Sequence, residues 1–214
     1  MRLFFHYCSA GFSNCYIVGT DAPPEDTPAE KAPPMEAIII DPGNMDANLL
    51  GIIEDNNFIL RGILITHDHP VHVRGINTIM RIYNTDIYAI NPVIMGHRCR
   101  LVRDGDKINI GPFQTEVISI PGHSADSAVF KIERLLFTGD TLSAGLVGKT
   151  ASPYAARTQI SSLRSRLLSL PGGDYIILPG HGPPSSLEAE RQFNLGLNST
   201  EQRKKRRPTF WFEY

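Results

Sequence analysis

"LITHDHPVH", residues 64–72, sets His67, His69 and His72 directly after an apolar run. Imidazole nitrogens and carboxylates are ligands of zinc, iron and manganese. Two imidazoles of an HxH on a tight loop can reach one ion, and a remote histidine and an aspartate can complete its shell. The chain supplies such residues at equivalent places. His123 follows VISIPG, His181 follows IILPG, and Asp140 and Asp41 end the apolar runs LLFTGD and IIIDPG. Loops at strand ends are where scaffolds place chemistry. A lone histidine in a loop is ordinarily a satisfied polar residue. Five histidines at strand ends, each in a Gly- or Pro-flanked turn, read as one constellation. His6 and His97 lie outside it and keep the ordinary reading.

The bulk properties suit a soluble globular protein of modest size. The 214 residues are 42% hydrophobic and 20% charged, enough for one domain with a sizeable core. A net charge of −1 gives no field that recruits nucleic acid or an acidic membrane. Cys8, Cys15 and Cys99 form no CxxC pair and read as reduced thiols. MRLFFHYCSAGFSN lacks the apolar region of a signal peptide, and no stretch approaches the ~20 apolar residues of a membrane span. The expected location is the cytoplasm.

Along the chain, RLFFHYCSAGFSNCYIVGT reads as two strands joined at Gly11–Asn14. EAIIIDPG gives a strand stopped by Pro42 and Gly43, DGDKINIGPFQTEVISI a hairpin followed by a strand, and RGILIT, DIYAI, AVFKIE, RLLFTGD (stopping at Gly139–Asp140) and DYIILPG are further strands. DANLLGIIEDNN, VRGINTIMRIYN and residues 156–170 have helical spacing. SSLEAERQFNLGL opens on a capping signal, Ser185/Ser186 with Glu188. Strands followed by helices recur in both halves, so the class is mixed α/β. Residues 21–34, rich in proline and acid, cannot build a core and read as a mobile surface loop. The expected organisation is a single domain over 1–200, then a basic and aromatic tail over 201–214.

THDHPVH, PGHS, FTGD and LPGHGP, in this order, resemble the metallo-β-lactamase superfamily and most of all its glyoxalase II-like branch. SNCYIVG, IIIDPG, DGDKINIG, SIPGHSADS, LLFTGDTL and ILPGHGPPSSLEAE fall in the same register, so the resemblance covers nearly the whole chain. It implies an αββα sandwich, with the active site in a cleft along one edge. It implies a first metal site of His67, His69 and His123, with Asp140 bridging to a second site of His72 and His181. The family's T-H-x-H-x-D-H carries one more second-site ligand, an aspartate, and that position is Val71. Asp68, at the family's variable position, is expected to point away from the metals.

The expected activity follows from this. A complete first site with an open position is the form of a catalytic zinc site, where bound water falls to a pKa of ~7. The expectation is one tightly bound metal, with two as the alternative: zinc, or else iron or manganese. The resemblance implies hydrolysis of a small thioester or ester through metal-bound hydroxide, slowed by ~2–4 decades where Val71 leaves a general base missing. Lys149, in GLVGKT, falls where the family has a basic residue facing the substrate's anionic end. Relatives that oxidise persulfides with one iron use the equivalents of His67, His123 and Asp140. This makes a dioxygenase the second expectation and a non-catalytic metal-binding relative the third. The helical domain with glutathione-binding basic residues of full-length glyoxalase II is not expected after SSLEAERQFNLGL, and G-H-G-P stands where those enzymes carry the G-H-E-Y tyrosine. In the tail, RKKRRPTFWFEY, the basic run reads as solvated. Phe210, Trp211, Phe212 and Tyr214 are expected to dock on this chain or on a partner subunit in a homodimer.

Overall fold

The structure, a computed structural model, describes residues 1–24, 26–28 and 32–198. The basic and aromatic tail and part of the proline-rich loop lie outside the described residues. The loop's described residues carry no helix or strand.

The first half forms β1 (Arg2–Cys8), β2 (Ser13–Gly19), β3 (Glu36–Ile40), α1 (Ala47–Asp55), β4 (Ile59–Leu64), α2 (Pro70–Val73), α3 (Ile76–Ile82), β5 (Ile87–Ala89), a small hairpin of β6 (Val93–Ile94) and β7 (His97–Arg98), and β8 (Arg100–Leu101). The second half forms β9 (Lys107–Ile110), β10 (Phe113–Ser119), β11 (Ala128–Ile132), β12 (Leu135–Gly139), a hairpin of β13 (Leu142–Ser143) and β14 (Leu146–Val147), α4 (Pro153–Ser162), β15 (Ile176–Pro179), β16 (Ser185–Ser186) and α5 (Leu187–Phe193). Two six-stranded mixed sheets result, ordered β1-β2-β3-β4-β5-β8 and β16-β15-β12-β11-β10-β9.

Alternation along the strands builds three buried layers. Tyr16, Val18, Ile38, Ile40 and Leu64 face Val117, Phe130, Phe137 and Leu178 between the sheets. The intervening residues point outward. Ile17, Ile39 and Ile63 meet Leu49 and Ile53 of α1 and Ile76 and Ile79 of α3. Ile118, Val129, Leu136 and Ile177 meet Leu163, Leu167 and Leu187. Strands with both faces apolar read as continuous hydrophobic runs because both faces are covered. The architecture is the αββα sandwich.

Three local expectations are corrected. The β1–β2 turn occupies residues 9–12, so Ser13 and Asn14 already belong to β2. The helix expected over 156–170 starts at Pro153, where the Ser152 side chain accepts from the Ala155 N–H, and passes into a π-helical segment, Leu163–Leu167. Before α5 the cap is Ser186, accepting from the Ala189 N–H at 3.1 Å, while Ser185 Oγ donates to Glu190 instead. Glu190 is buried and the Gly145 N–H points at both of its oxygens, an attraction stronger than a neutral cap contact. All three cysteines are free. Among the described residues, no helix is long and apolar enough to cross a membrane.

Candidate metal centre

Both sheets deliver their histidines to the same end of the sandwich. The loop after β4 carries His67 and His69, and α2 carries His72. The loop after β10 brings His123, β12 ends beside Asp140, and His181 follows β15. Close approach is possible because a glycine precedes the last of these. A Cβ on Gly180 would stand 2.5 Å from Asp140 Oδ1 and 2.7 Å from His72 Cε1. At Gly139, the φ of +49° and a Cβ position only 2.3 Å from Thr66 Oγ1 demand glycine for the same reason.

Two donor sets form. His67, His69, His123 and Asp140 make the first, and His72, Asp140 and His181 the second, with each set's ligand atoms within 4.8 Å of one another. His69 Nδ1 lies 2.9 Å from His67 Nε2 and 3.0 Å from His123 Nε2. Asp140 Oδ2 lies 3.8, 3.6 and 3.5 Å from the Nε2 atoms of His67, His123 and His181, and Oδ1 lies 3.4 Å from that of His72.

The outer nitrogens fix the tautomers. His123 Nδ1–H donates to the Lys149 carbonyl at 2.8 Å, and His181 Nδ1–H to the Phe12 carbonyl at 2.7 Å. A carbonyl can only accept, so both rings turn an Nε2 lone pair inward. His67 Nδ1 is 3.1 Å from Thr66 Oγ1, whose own proton goes to Asp41 Oδ2 at 2.6 Å, so His67 Nε2 also faces inward as a lone pair. One proton on His69 Nδ1 cannot serve both of the lone pairs around it. A cation at the centre satisfies all three rings. In the second set, both ring nitrogens of His72 and Asp140 Oδ1 are buried without a hydrogen bond. Buried polar atoms left so are costly, and a divalent ion is the partner this donor set fits.

Charge follows the same layout. Burial, reinforced by His72, pushes the His67 pKa down to about 2, and burial also lowers that of His69, so both present neutral, ligating rings. For His72, burial opposes protonation, but the adjoining Asp140 and Asp41 carboxylates outweigh it and the net shift is upward. For Asp140, burial alone would raise the pKa, but His72, His67 and His181 hold it below the usual carboxylate range.

Sequence reasoning had not assigned Asp41 a role. It is buried, accepts from both the N–H and the hydroxyl of Thr66, and lies 3.6 Å from His72 Nδ1. Burial raises its pKa to about 6. Its position at the end of an apolar strand was the available signal. Asp68 is exposed, outside both donor sets. His97 is hydrogen-bonded to Asn77, whereas His6 is buried 3.2 Å from Asp46 with Nε2 unsatisfied. Val71 is half-buried; a Cβ on Gly11 would lie 2.9 Å from its Cβ, and its carbonyl accepts from Ser13 Oγ at 2.7 Å. A cavity of about 400 Å³ opens onto the centre, lined by His123, Asp140, Leu146, Val147, Lys149 and His181.

The family model of the metallo-beta-lactamase superfamily matches residues 9–181. The chain is 30% identical over 215 residues to the uncharacterized protein Rv2581c of Mycobacterium tuberculosis, covering 85% of this chain and 91% of that one. It is 35% identical over 136 residues to a hydroxyacylglutathione hydrolase of Psychromonas ingrahamii, covering 63% of this chain and 52% of the relative, so it spans about half of that enzyme's length. Among solved structures, the di-iron-bound form of TTHA1623 aligns with a TM-score of 0.70 at 26% identity, covering 89% of this chain and 98% of that one.

Proposed function

The chain belongs to the metallo-beta-lactamase superfamily, and from that premise we propose that it is a metal-dependent hydrolase of small thioesters or esters with an altered second metal site. The observation that carries this is the inequality of the two donor sets. The first gathers three imidazoles and a carboxylate. The second has two imidazoles and the same shared carboxylate, with Val71 preceding His72 in sequence.

His67, His69, His123 and Asp140 would hold the first ion, taken here as zinc, with iron or manganese as alternatives. His72, His181 and Asp140 would hold a second one more weakly. A bound divalent ion supplies Lewis acidity and an activated water. The protein's own groups do the rest. Thr66, the Lys149 carbonyl and the Phe12 carbonyl keep the rings aimed inward. Asp140, held ionised, remains a ligand and is a poor proton acceptor. Leu146 and Val147, which line the cavity, would take an acyl group, and Lys149, exposed and also lining it, would meet an anionic end.

A second reading rests on His67, His123 and Asp140. Two imidazoles and one carboxylate are a set suited to non-haem iron and oxygen, and none of them depends on position 71. The deciding experiment loads the protein with zinc, manganese or iron and measures turnover of a thioester and ester panel beside oxygen uptake with glutathione persulfide. Hydrolysis above that of a His67→Ala control supports the proposal. Oxygen uptake by the iron form without hydrolysis replaces it with the dioxygenase. Neither activity leaves a metal-binding protein without catalysis.

A further inference from the structure

The hairpin that holds His181 also ends the first sheet. Among the described residues β1 pairs only with β2, over seven residues in unbroken antiparallel register. Its two faces differ. His6 and Cys8 are buried on the side of α1, with Phe4 packed on the same cluster. Leu3, Phe5 and Tyr7 stay 40%, 53% and 49% exposed. They lie beside Val18, Tyr16 and Asn14 of β2, so their stripe prolongs the apolar layer between the sheets out to the edge. Folds ordinarily protect an edge with proline, lysine or a bulge, and β1 has none of these.

Two hydrogen bonds show which backbone groups face that edge. The Asn14 N–H turns away from β1 to the Gly180 carbonyl at 2.8 Å, and the Cys8 carbonyl turns into the hairpin, where it accepts from the Gly11 N–H at 3.2 Å. Tyr7 and Asn14 are therefore a non-hydrogen-bonded pair, and pair types alternate along an antiparallel ladder. Leu3, Phe5 and Tyr7 thus direct their N–H and C=O groups to the open edge. The same three residues carry the exposed apolar side chains.

We propose that this edge is a homodimer interface, in which β1 pairs antiparallel with β1 of a second copy about a two-fold axis at Phe5. The residues select this register. Opposed residues of an antiparallel pair share a face, and each edge-facing pair exchanges two hydrogen bonds. Centring on Phe5 sets Phe5 against Phe5 and Leu3 against Tyr7 twice over, for about six hydrogen bonds. Centring on Phe4 or His6 uses only two of the three residues, for about four. On the other face, the Phe5 register sets Arg2 of each copy against Cys8 of the other, diagonal to His6. Arg2 stacks on Phe4, 4.8 Å from the ring centroid, and pairs with no carboxylate among the described residues. Asp46 is only partly buried, with Oδ2 3.2 Å from His6 Nε2. The guanidinium would meet this carboxylate, and the two-fold axis makes that charge complement twice. A groove of about 740 Å³ between β1 and α1, lined by Phe5, His6, Tyr7 and Ile52, leaves room for the second strand's side chains. Leu3, Phe5 and Tyr7 of both copies would together remove about 500–600 Å² from water. That is below the ~1,200 Å² of a standard interface, so the dimer should dissociate on dilution.

Sedimentation velocity of the full chain from ~1 μM to ~1 mM should show monomer passing into dimer and nothing larger, because a two-fold pairing closes on itself. Phe5→Asp sets two carboxylates together at the axis and should raise the dimer dissociation constant by ~100-fold or more, with the circular dichroism spectrum unchanged. Phe5→Pro removes an edge-facing donor without adding charge, which an edge strand tolerates, and should weaken the dimer likewise. If either variant fails to fold, Leu3→Lys with Tyr7→Lys, both at exposed positions, serves in its place. Cross-linking reads the register. Phe5→Cys should form an intermolecular disulfide under mild oxidation, above the native chain's own background, since directly opposed Cα atoms stand ~5.5 Å apart. Leu3→Cys, opposed to Tyr7, should not. A chain that stays monomeric up to ~1 mM overturns the proposal. So does a dimer that the edge variants leave intact, or one that Leu3→Cys links as readily as Phe5→Cys.

Discussion

Replacing Val71 with aspartate probes the centre where this chain departs from its family. Val71 precedes His72 and packs against Gly11, and the next residue along that turn, Phe12, holds His181 through its carbonyl. Position 71 is therefore next in sequence to one imidazole of the second donor set and packs on the turn that holds the other. A carboxylate there adds a fourth donor and a second negative charge to a set that has only Asp140. Without metal the change is unfavourable. A half-buried apolar side chain gives way to an unpartnered charge, at about 1–3 kcal/mol, which lowers Tm by roughly 2–12 °C for a domain of this size. With metal the sign reverses, because an ion held at 100 times its Kd contributes about 2.7 kcal/mol. The second equivalent should bind at free zinc concentrations lower by more than the ~10–100-fold that even an outer-shell partner is worth. Thioester turnover at saturating metal should rise by about 10²–10⁴-fold, the worth of a general base. The assay is metal content per chain across a series of free-zinc buffers, with Tm in chelator and in zinc and initial hydrolysis rates. A Val71→Asp protein that binds no more metal and turns over no faster at saturation would refute the account of position 71.

Asp140→Asn, nearly isosteric, should weaken both sites, because the two carboxylate oxygens face both histidine sets; elemental analysis should find a larger loss than the ~10–100-fold typical of an outer-shell partner. On acidification the second ion should leave first. The raised pKa of His72 lets a proton compete above its ordinary 6.5, whereas His67 and His69, shifted down, stay neutral below it; metal content against pH should fall in two steps, and loss of the first-site ion before the second would contradict this order. Lys149→Ala should raise KM for anionic substrates by about 2–5-fold, the worth of an exposed ion pair, and leave kcat and neutral esters unaffected, since the backbone carbonyl that holds His123 is retained. Asp41→Asn should cost about 1–3 kcal/mol, because it leaves a donor facing the Thr66 hydroxyl in a buried site, read as a lowered Tm with second-site zinc affinity falling alongside.

The mixed α/β class and the strand-end constellation of histidines and aspartates were legible in the sequence because both are local signals, whereas the sandwich and the division into two donor sets were implied by the family resemblance. Apolar runs such as EAIII and LLFTG are short, are bounded by turn residues, and end on the groups that do chemistry. What it did not show depends on contacts far apart in the chain. Asp41 reads as one more strand-end carboxylate until Thr66 and His72 are seen against it, 25 and 31 residues away. The helix expected over 156–170 changes character at Leu163, where Leu163 and Leu167 turn to pack on the outer face of the second sheet. That packing belongs to β10, β12 and α5, not to the segment's own periodicity. The turn between β1 and β2 begins earlier than its glycine and asparagine suggest, because Asn14 is drawn into the sandwich by Pro179, Gly180 and Gly182.

Val71 shows the limit of motif reading most sharply. As a string it is a mismatch, compatible with a decayed site as much as with an altered one. In the fold it is fitted. Gly11 leaves room for its side chain, Ser13 takes its carbonyl, and Phe12 between them holds His181 in place. Beside it, His72 is kept fully buried with neither ring nitrogen hydrogen-bonded, and Asp140 Oδ1 is left in the same state. A buried atom without a hydrogen bond costs about 1–3 kcal/mol, which the attraction between His72 and the Asp41 and Asp140 carboxylates at 3.6 and 3.4 Å offsets only in part. Side-chain packing gives nothing back for that cost, since an apolar residue of similar volume in place of His72 would avoid it. An ion shared with His181 would offset it. The energetics therefore favour an altered second site that still binds metal over the remains of one, and the metal content of the unmodified protein at graded free zinc separates the two. A second equivalent that appears only at high zinc fits the altered site, and one that never appears fits the remnant.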